Sequence, residues 1–339
     1  MSDNDPLPRT KARGVGLSSG KGAGKLRSRY PLITAEEFDL LFEKLKNWNR
    51  WGPDDDKGTL NYITQDKIIR AAALVKSGRC LSMAIPINKT AEADNPNPAI
   101  HYMVKTHDMD AGSVNMNIAT DFLGMQFHGD CHTHMDSLCH ISYKGLLYNG
   151  IPADTVDVTG AERLDVTSYA HGIVGRGVLI DVPRYRGVDW LEPGEAVTAE
   201  EIEAVENSQG VKLGEGDIML FRTGQYHRRN QKGPWNVGFD GEGRAGLDPY
   251  SLLLLHERKV AAFLPEGDGE VHPGYVEGIR SPIHALQVAA MGMLVADSLQ
   301  LEEVAAACSE EGRFTFMVAF SPLRLPRGTG SPFNPIAVF

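Results

Sequence analysis

The chain has 339 residues, 42% of them hydrophobic and 23% charged, a composition that can bury a core and excludes wholesale disorder. With 44 acidic against 34 basic side chains the net charge is −10, which argues against nucleic acid or anionic lipid as a partner. The longest apolar runs, at 260–265 and 283–296, are too short or interrupted for a membrane span, so no membrane is expected.

Four cysteines (Cys80, Cys131, Cys139, Cys308) do not make a disulfide framework and point to a reducing compartment. The N-terminus carries no apolar signal core, so a cytoplasmic protein is expected. Residues 1–30 hold seven Lys or Arg against two Asp and a Gly/Ser-rich run, without periodicity, and read as a flexible basic tail. Within it GLSSGKGAGK lacks the spacing of a phosphate-binding loop.

Thr34-Ala-Glu-Glu37 is a capping box that predicts a helix to about Trp48, and Thr64 predicts a second over 65–76, stopped by Gly78. Segments 80–87, 177–182 and 217–224 read as strands. Thr198–Glu201 opens another short helix, and Asp248-Pro249 opens one over 251–259 that runs directly into a strand at 260–265. Helices near 284–293 and 301–308 precede an apolar strand at 314–320. Strands and helices alternate without a repeat or a convincing linker. The expectation is one α/β domain over 31–339.

Four of the 11 histidines fall in HGDCHTHMDSLCH, residues 128–140. His128, Asp130, His132, His134 and Asp136 share one parity, so an extended strand would project all five from one face. Such a row makes a poor core face. It does suit a divalent transition metal, which takes neutral imidazoles and a carboxylate and keeps a position open. His140, past a Ser-Leu-Cys turn, could reach a metal-bound water without being a ligand. Cys131 and Cys139 have the opposite parity, which disfavours both a thiolate site and a nucleophilic cysteine. The bland alternative is an exposed polar strand. The isolated His101, His107, His171, His227 and His256 take that kind of reading, whereas the cluster points to metal.

The segment THMDSLCH resembles the motif T-H-x-D-(A/S)-x-x-H of the metal-dependent hydrolases known as cyclases, among them bacterial kynurenine formamidase, isatin hydrolase and trans-dienelactone hydrolase. On the longer pattern H-x-G-T-H-x-D-x-P-x-H, His134 and Asp136 match metal ligands and His140 matches a general base. Asp130 stands where that pattern has its first His, His132 where it has Gly, and Leu138 where it has Pro. The first ligand is therefore Asp130 or His132, with His128 an outer alternative that otherwise contacts substrate. NWNRWGPDDDKGTLNYIT (47–64) resembles the W-G-x-x-D-x-x-G-T-L-N signature, and 177–202, 216–224 and 328–339 resemble further family blocks.

The resemblance implies a compact α/β domain with a mixed sheet of swivelling β/β/α type, assembled as a homo-oligomer, dimer or tetramer. It implies one or two Mn2+ or Zn2+ ions per subunit. In SPIHALQVAAMGMLVAD it makes His284 a second catalytic residue, as ligand or oxyanion donor, and Asp297 a metal ligand or orienter. Trp51 and Asn61 would wall the pocket for a small aromatic or cyclic substrate whose amide, lactam or lactone is hydrolysed. Asp268, Glu270 and His272 are candidates for the rim without a role. A metal-dependent oxygenase, with His132, His134 and Asp136 as a facial triad, and a non-catalytic metal-dependent binding protein are the rival readings.

Overall fold

A computed structural model describes residues 28–107, 116–238 and 240–339. Most of the predicted basic tail, residues 1–27, lies outside the described residues. Its last three residues pack on the body, where Arg29 pairs with Glu195 at 3.5 Å and the Tyr30 hydroxyl accepts the Ala196 N–H at 2.8 Å.

Nine strands form one mixed sheet: β1 Cys80–Ser82, β2 His134–Asp136, β3 Ile173–Asp181, β4 Ile218–Arg222, β5 Ala262–Pro265, β6 Leu294–Asp297, β7 Thr315–Phe320, β8 Gly330–Pro332 and β9 Ile336–Val338. Their spatial order is β1-β9-β7-β3-β4-β5-β6-β2-β8, with β3, β4, β5 and β6 mutually parallel and the outer pairs antiparallel. The parallel centre explains the unbroken apolar runs in the sequence. Leu179, Leu220 and Leu264 face one core, while Val178, Ile180, Met219, Phe221 and Phe263 face the other. A strand covered on both faces has no polar side to alternate with.

The helices follow their predicted caps with shorter ends. Thr34 and Glu37 form the full capping box of Ala35–Leu45, and Thr198 caps Ala199–Gln209. The helix predicted over 65–76 covers only Gln65–Ala72, and the strand predicted over 80–87 pairs only at Cys80–Ser82, with a lone bridge at Ala84. The helix predicted near 284–293 is Pro282–His284 continuing into a π-helix, Ala285–Met291, that ends at Gly292 with φ +62°. Such wide turns concentrate at functional sites. The sequence reading missed a separate hairpin, Ile100–Lys105 with Thr120–Gly124, whose Ile100, Tyr102, Val104 and Phe122 are exposed. Among the described residues no helix is long and apolar enough to cross a membrane.

The W-G-x-x-D-x-x-G-T-L-N segment is a turn organised by one carboxylate. Asp55 accepts from the Gly58 N–H at 2.9 Å, Asn61 Nδ2 at 2.6 Å and the Tyr148 hydroxyl at 3.0 Å. Thr59 then docks on the end of the π-helix, its N–H 2.8 Å from the Gly292 carbonyl and its hydroxyl 2.7 Å from that of Ala261. Gly58 sits at φ +54°, and a Cβ there would fall 1.8 Å from the Gly292 oxygen. Gly58→Ala is therefore expected to cost about 3 kcal/mol or more, since left-handed strain adds to a backbone clash. Chemical denaturation checks this, and a loss under about 1 kcal/mol would contradict the close approach.

Candidate metal centre

Asp136 ends β2, between β6 on one side and β8 on the other, with backbone partners at Ala296–Asp297 and Gly330–Pro332. Its side chain is 1% exposed, and among the described residues neither carboxylate oxygen accepts a hydrogen bond. Four imidazoles surround it. His128 Nδ1 lies 3.0 Å from Oδ1 but outside hydrogen-bonding geometry, and His134 Nε2 lies 3.6 Å from Oδ1. His140 Nε2 and His284 Nε2 each lie 3.8 Å from Oδ2. Asp297, at the end of β6, joins them with its Oδ2 3.1 Å from His284 Nε2 and 3.8 Å from His134 Nε2. Two donor groups result among the described residues: His134, Asp136 and Asp297, and His128, Asp136 and His140.

The two groups differ in exposure. His134 and Asp297 are buried, whereas the His128 and His140 rings, stacked at 3.9 Å, are 23% and 28% exposed and form the open side. Burial alone would raise the Asp136 carboxyl, but the His140, His128 and His134 rings outweigh it and hold the group below the usual carboxylate range. Burial pushes His140 down to about 4 against the pull of Asp136, so its ring is neutral at pH 7. Burial would also lower His284, yet Asp297 and Glu270 outweigh it and hold that imidazole well above its ordinary value.

These residues fit a divalent cation. A carboxylate buried without hydrogen bonds costs several kcal/mol unless a positive charge meets it. The donors are imidazole nitrogens and carboxylate oxygens, the set that Zn2+ and Mn2+ take, and their separations of 3.1–3.8 Å match roughly the 3.3–3.6 Å between ligands of a tetrahedral ion. Thiolates are not part of it. Burial pushes the Cys131 and Cys139 thiols up to about 12 and about 11, and Cys139 is hydrogen-bonded to Ser137.

The shared-face expectation for residues 128–136 fails upstream of β2. Only His134–Asp136 is strand; residues 128–133 bend, because Thr133 is tied to Ser298 O and the Ile85 N–H, and Ser298 Oγ to Asp130 O. Side-chain parity does not carry through a bend. Asp130, expected as a first ligand, turns instead to Arg244 at 2.8 Å. His132, its alternative, is buried with neither ring nitrogen hydrogen-bonded, yet belongs to neither donor group. His128 faces Asp136 directly. Trp51 packs edge-on against Tyr62, and Asn61 is engaged by Asp55 and Gly58 O, so both serve the 50–62 turn.

Sequence reasoning missed Arg244, a buried cation bridging Asp130 and Asp268 at 2.8 and 3.0 Å, and left Glu270 without a role. Neither carries a local signal, since their partners are distant in sequence. A cavity of about 330 Å3, lined by Ile85, Pro86, Tyr226, Arg229, Trp235 and Leu299 among others, also takes in Asp130, Cys131 and Ser298, which adjoin the centre in sequence. None of the six residues gathered at the centre lines it.

A family model described as "Putative cyclase" matches residues 69–267. The chain belongs to this cyclase family. Among solved structures, one described as a novel cyclase is similar at 31% identity and a TM-score of 0.77, covering 88% of this chain and 99% of that one. An isatin hydrolase bound to the product analogue thioisatinate aligns at 18% identity and TM-score 0.53, over 81% of this chain and 95% of that one. Isatin hydrolase A from Labrenzia aggregata, bound to benzyl benzoate, aligns at 19% and 0.52, over 80% and 97%. These last two share the cyclase fold. No curated protein matches the chain.

Proposed function

We propose that the protein is a metal-dependent hydrolase that opens or cleaves a carbonyl C–N or C–O bond (an amide, lactam or lactone) in a small aromatic or cyclic metabolite. The observation that carries this reading is Asp136, a buried carboxylate without hydrogen bonds, ringed by four imidazoles of which two stand on the open side. His134, Asp136 and Asp297 would hold the cation, Mn2+ or Zn2+, with His284 Nε2 as a further donor. When bound, such an ion supplies Lewis acidity and brings the pKa of a coordinated water toward neutrality.

The rest is the work of the chain's own residues. His140, neutral and partly exposed, accepts the proton of the attacking water and returns it to the leaving nitrogen or oxygen. His128 stacks on that ring and fixes its plane beside Asp136. Where the leaving group is an aryl amine or an alcohol, too weakly basic to keep a proton at pH 7, ionisation of the product acid releases one proton per turnover.

That proton is the assay. Manganese-loaded protein, with a metal-stripped control, is offered an N-formyl aryl amide, isatin and an unsaturated lactone. Metal-dependent acid release from one of them is the expected result; saturable binding without acid release would favour the binding-protein reading instead. The oxygenase reading rests on His132, which stands outside the two donor groups, and oxygen uptake with Fe2+ in place of acid release would favour it. The exposed apolar face of the hairpin, Ile100, Tyr102, Val104 and Phe122, supports a homo-oligomer, dimer or tetramer, because an isolated hairpin is marginal in water. Light scattering that returned a monomer would contradict the assembly.

A further inference from the structure

We propose that Glu270 is the positioning residue of His284: it holds the imidazole proton on Nδ1 and so presents Nε2, as a lone-pair donor, to the Asp136–Asp297 centre. The inference rests on the reading that His284 Nε2 belongs to the donor set. Glu270 is fully buried, and among the described residues its carboxylate is hydrogen-bonded at the Ile283–His284 turn. Oε2 accepts the Ile283 N–H at 3.1 Å, while Oε1 accepts the His284 N–H at 2.9 Å and lies 3.0 Å from His284 Nδ1.

Pro282 opens this helical turn without an N–H to give, so the next two donors are free, and Glu270 takes both. One carboxylate thus fixes the backbone of the turn and the ring that projects from it. Both Glu270 oxygens accept backbone N–H groups and so are oriented as acceptors, which puts the proton between carboxylate and ring on Nδ1. The other nitrogen is hydrogen-bonded to Asp297 Oδ2 at 3.1 Å and lies 3.8 Å from Asp136 Oδ2, so a cation entering between them would take the place of the Nε2 proton.

His134 reaches the same state by a different device. Its Nδ1 lies 2.8 Å from the His132 carbonyl, which also only accepts, and its Nε2 faces the same two carboxylates at 3.6 and 3.8 Å. Two rings from distant parts of the chain therefore spend Nδ1 on an oxygen and aim Nε2 at one point. A carboxylate behind an imidazole also raises its basicity as a ligand, which a carbonyl does less.

The test uses full-length protein carrying 15N-histidine and loaded with Zn2+, with the His284 signals assigned through His284→Asn. The expected spectrum has the His284 proton on Nδ1 and an unprotonated Nε2. Calorimetric titration should show Glu270→Ala weakening Zn2+ binding by about 10–100-fold, and Glu270→Gln, which keeps one acceptor oxygen, by less than about 10-fold. A wild-type proton on Nε2, or Zn2+ affinity unchanged in Glu270→Ala, would overturn the proposal. Should the alanine variant not fold, Glu270→Gln decides: unchanged affinity together with an unmoved Nδ1–H resonance would overturn it. Neither readout needs a substrate, so a silent hydrolysis panel would count against the proposed activity and leave this assignment standing.

Discussion

Asp136→Asn is expected to weaken Mn2+ or Zn2+ binding by more than about 100-fold and to remove turnover with it, because loss of a ligand exceeds the 10–100-fold typical of groups behind ligands. The substitution is nearly isosteric and leaves the backbone pairing of β2 with β6 and β8 in place. It exchanges a buried charge for a neutral amide and so changes the metal-free stability too, which makes each protein its own metal-free reference. Thermal melts with and without metal separate the two effects. At a metal concentration of 100 times the wild-type Kd the wild type should gain about 2.7 kcal/mol, and the variant less than about 0.4 kcal/mol at the same concentration. An equal metal-induced shift in both proteins would remove Asp136 from the centre.

His140→Ala is expected to lower kcat by about 100- to 10,000-fold, the usual worth of a general base, while metal affinity stays within a few-fold of wild type. The separation of the two readouts matters, because His140 also belongs to a donor group with His128 and Asp136. A loss of bound metal in the variant, measured on the sample used for kinetics, would make His140 a ligand. The pH dependence follows from its burial. With its pKa lowered to about 4 from an ordinary 6.5, the ring stays in its basic form from pH 7 to pH 5. The His140-dependent part of the rate should therefore be level over that interval and fall only as pH drops through about 4. An acid limb centred at 6.5 would contradict this.

The sequence carried the sheet and part of the centre for different reasons. Segments 217–224 and 260–265 announce strands because β4 and β5 are buried on both faces, so their apolar runs have one explanation. His134, Asp136 and His140 are legible as a compact motif, and His284 with Asp297 by its continuation thirteen residues apart. The expectation broke where it relied on regular geometry. Alternation was extended from β2 back to His128, but β2 begins at His134, and the contacts of Thr133 and Ser298 bend the chain before it.

Asp130 is then claimed by Arg244, a residue with no motif of its own whose two carboxylate partners lie more than twenty residues away on either side. Glu270 is visible in GDGEVHPG only as a candidate for the rim, and its place behind His284 depends on the turn that opens at Pro282. Local spacing reports chemistry. The pairing of loops that completes a site is a tertiary fact.

The central claim, a cation at Asp136, is tested most directly by anomalous scattering from crystals of the Zn2+-loaded protein. The account predicts a zinc peak within about 2.0–2.2 Å of His134 Nε2, Asp136 and Asp297, with any second ion on the His128–His140 side. Zinc absent from Asp136, or bound elsewhere with the centre left empty, would contradict it.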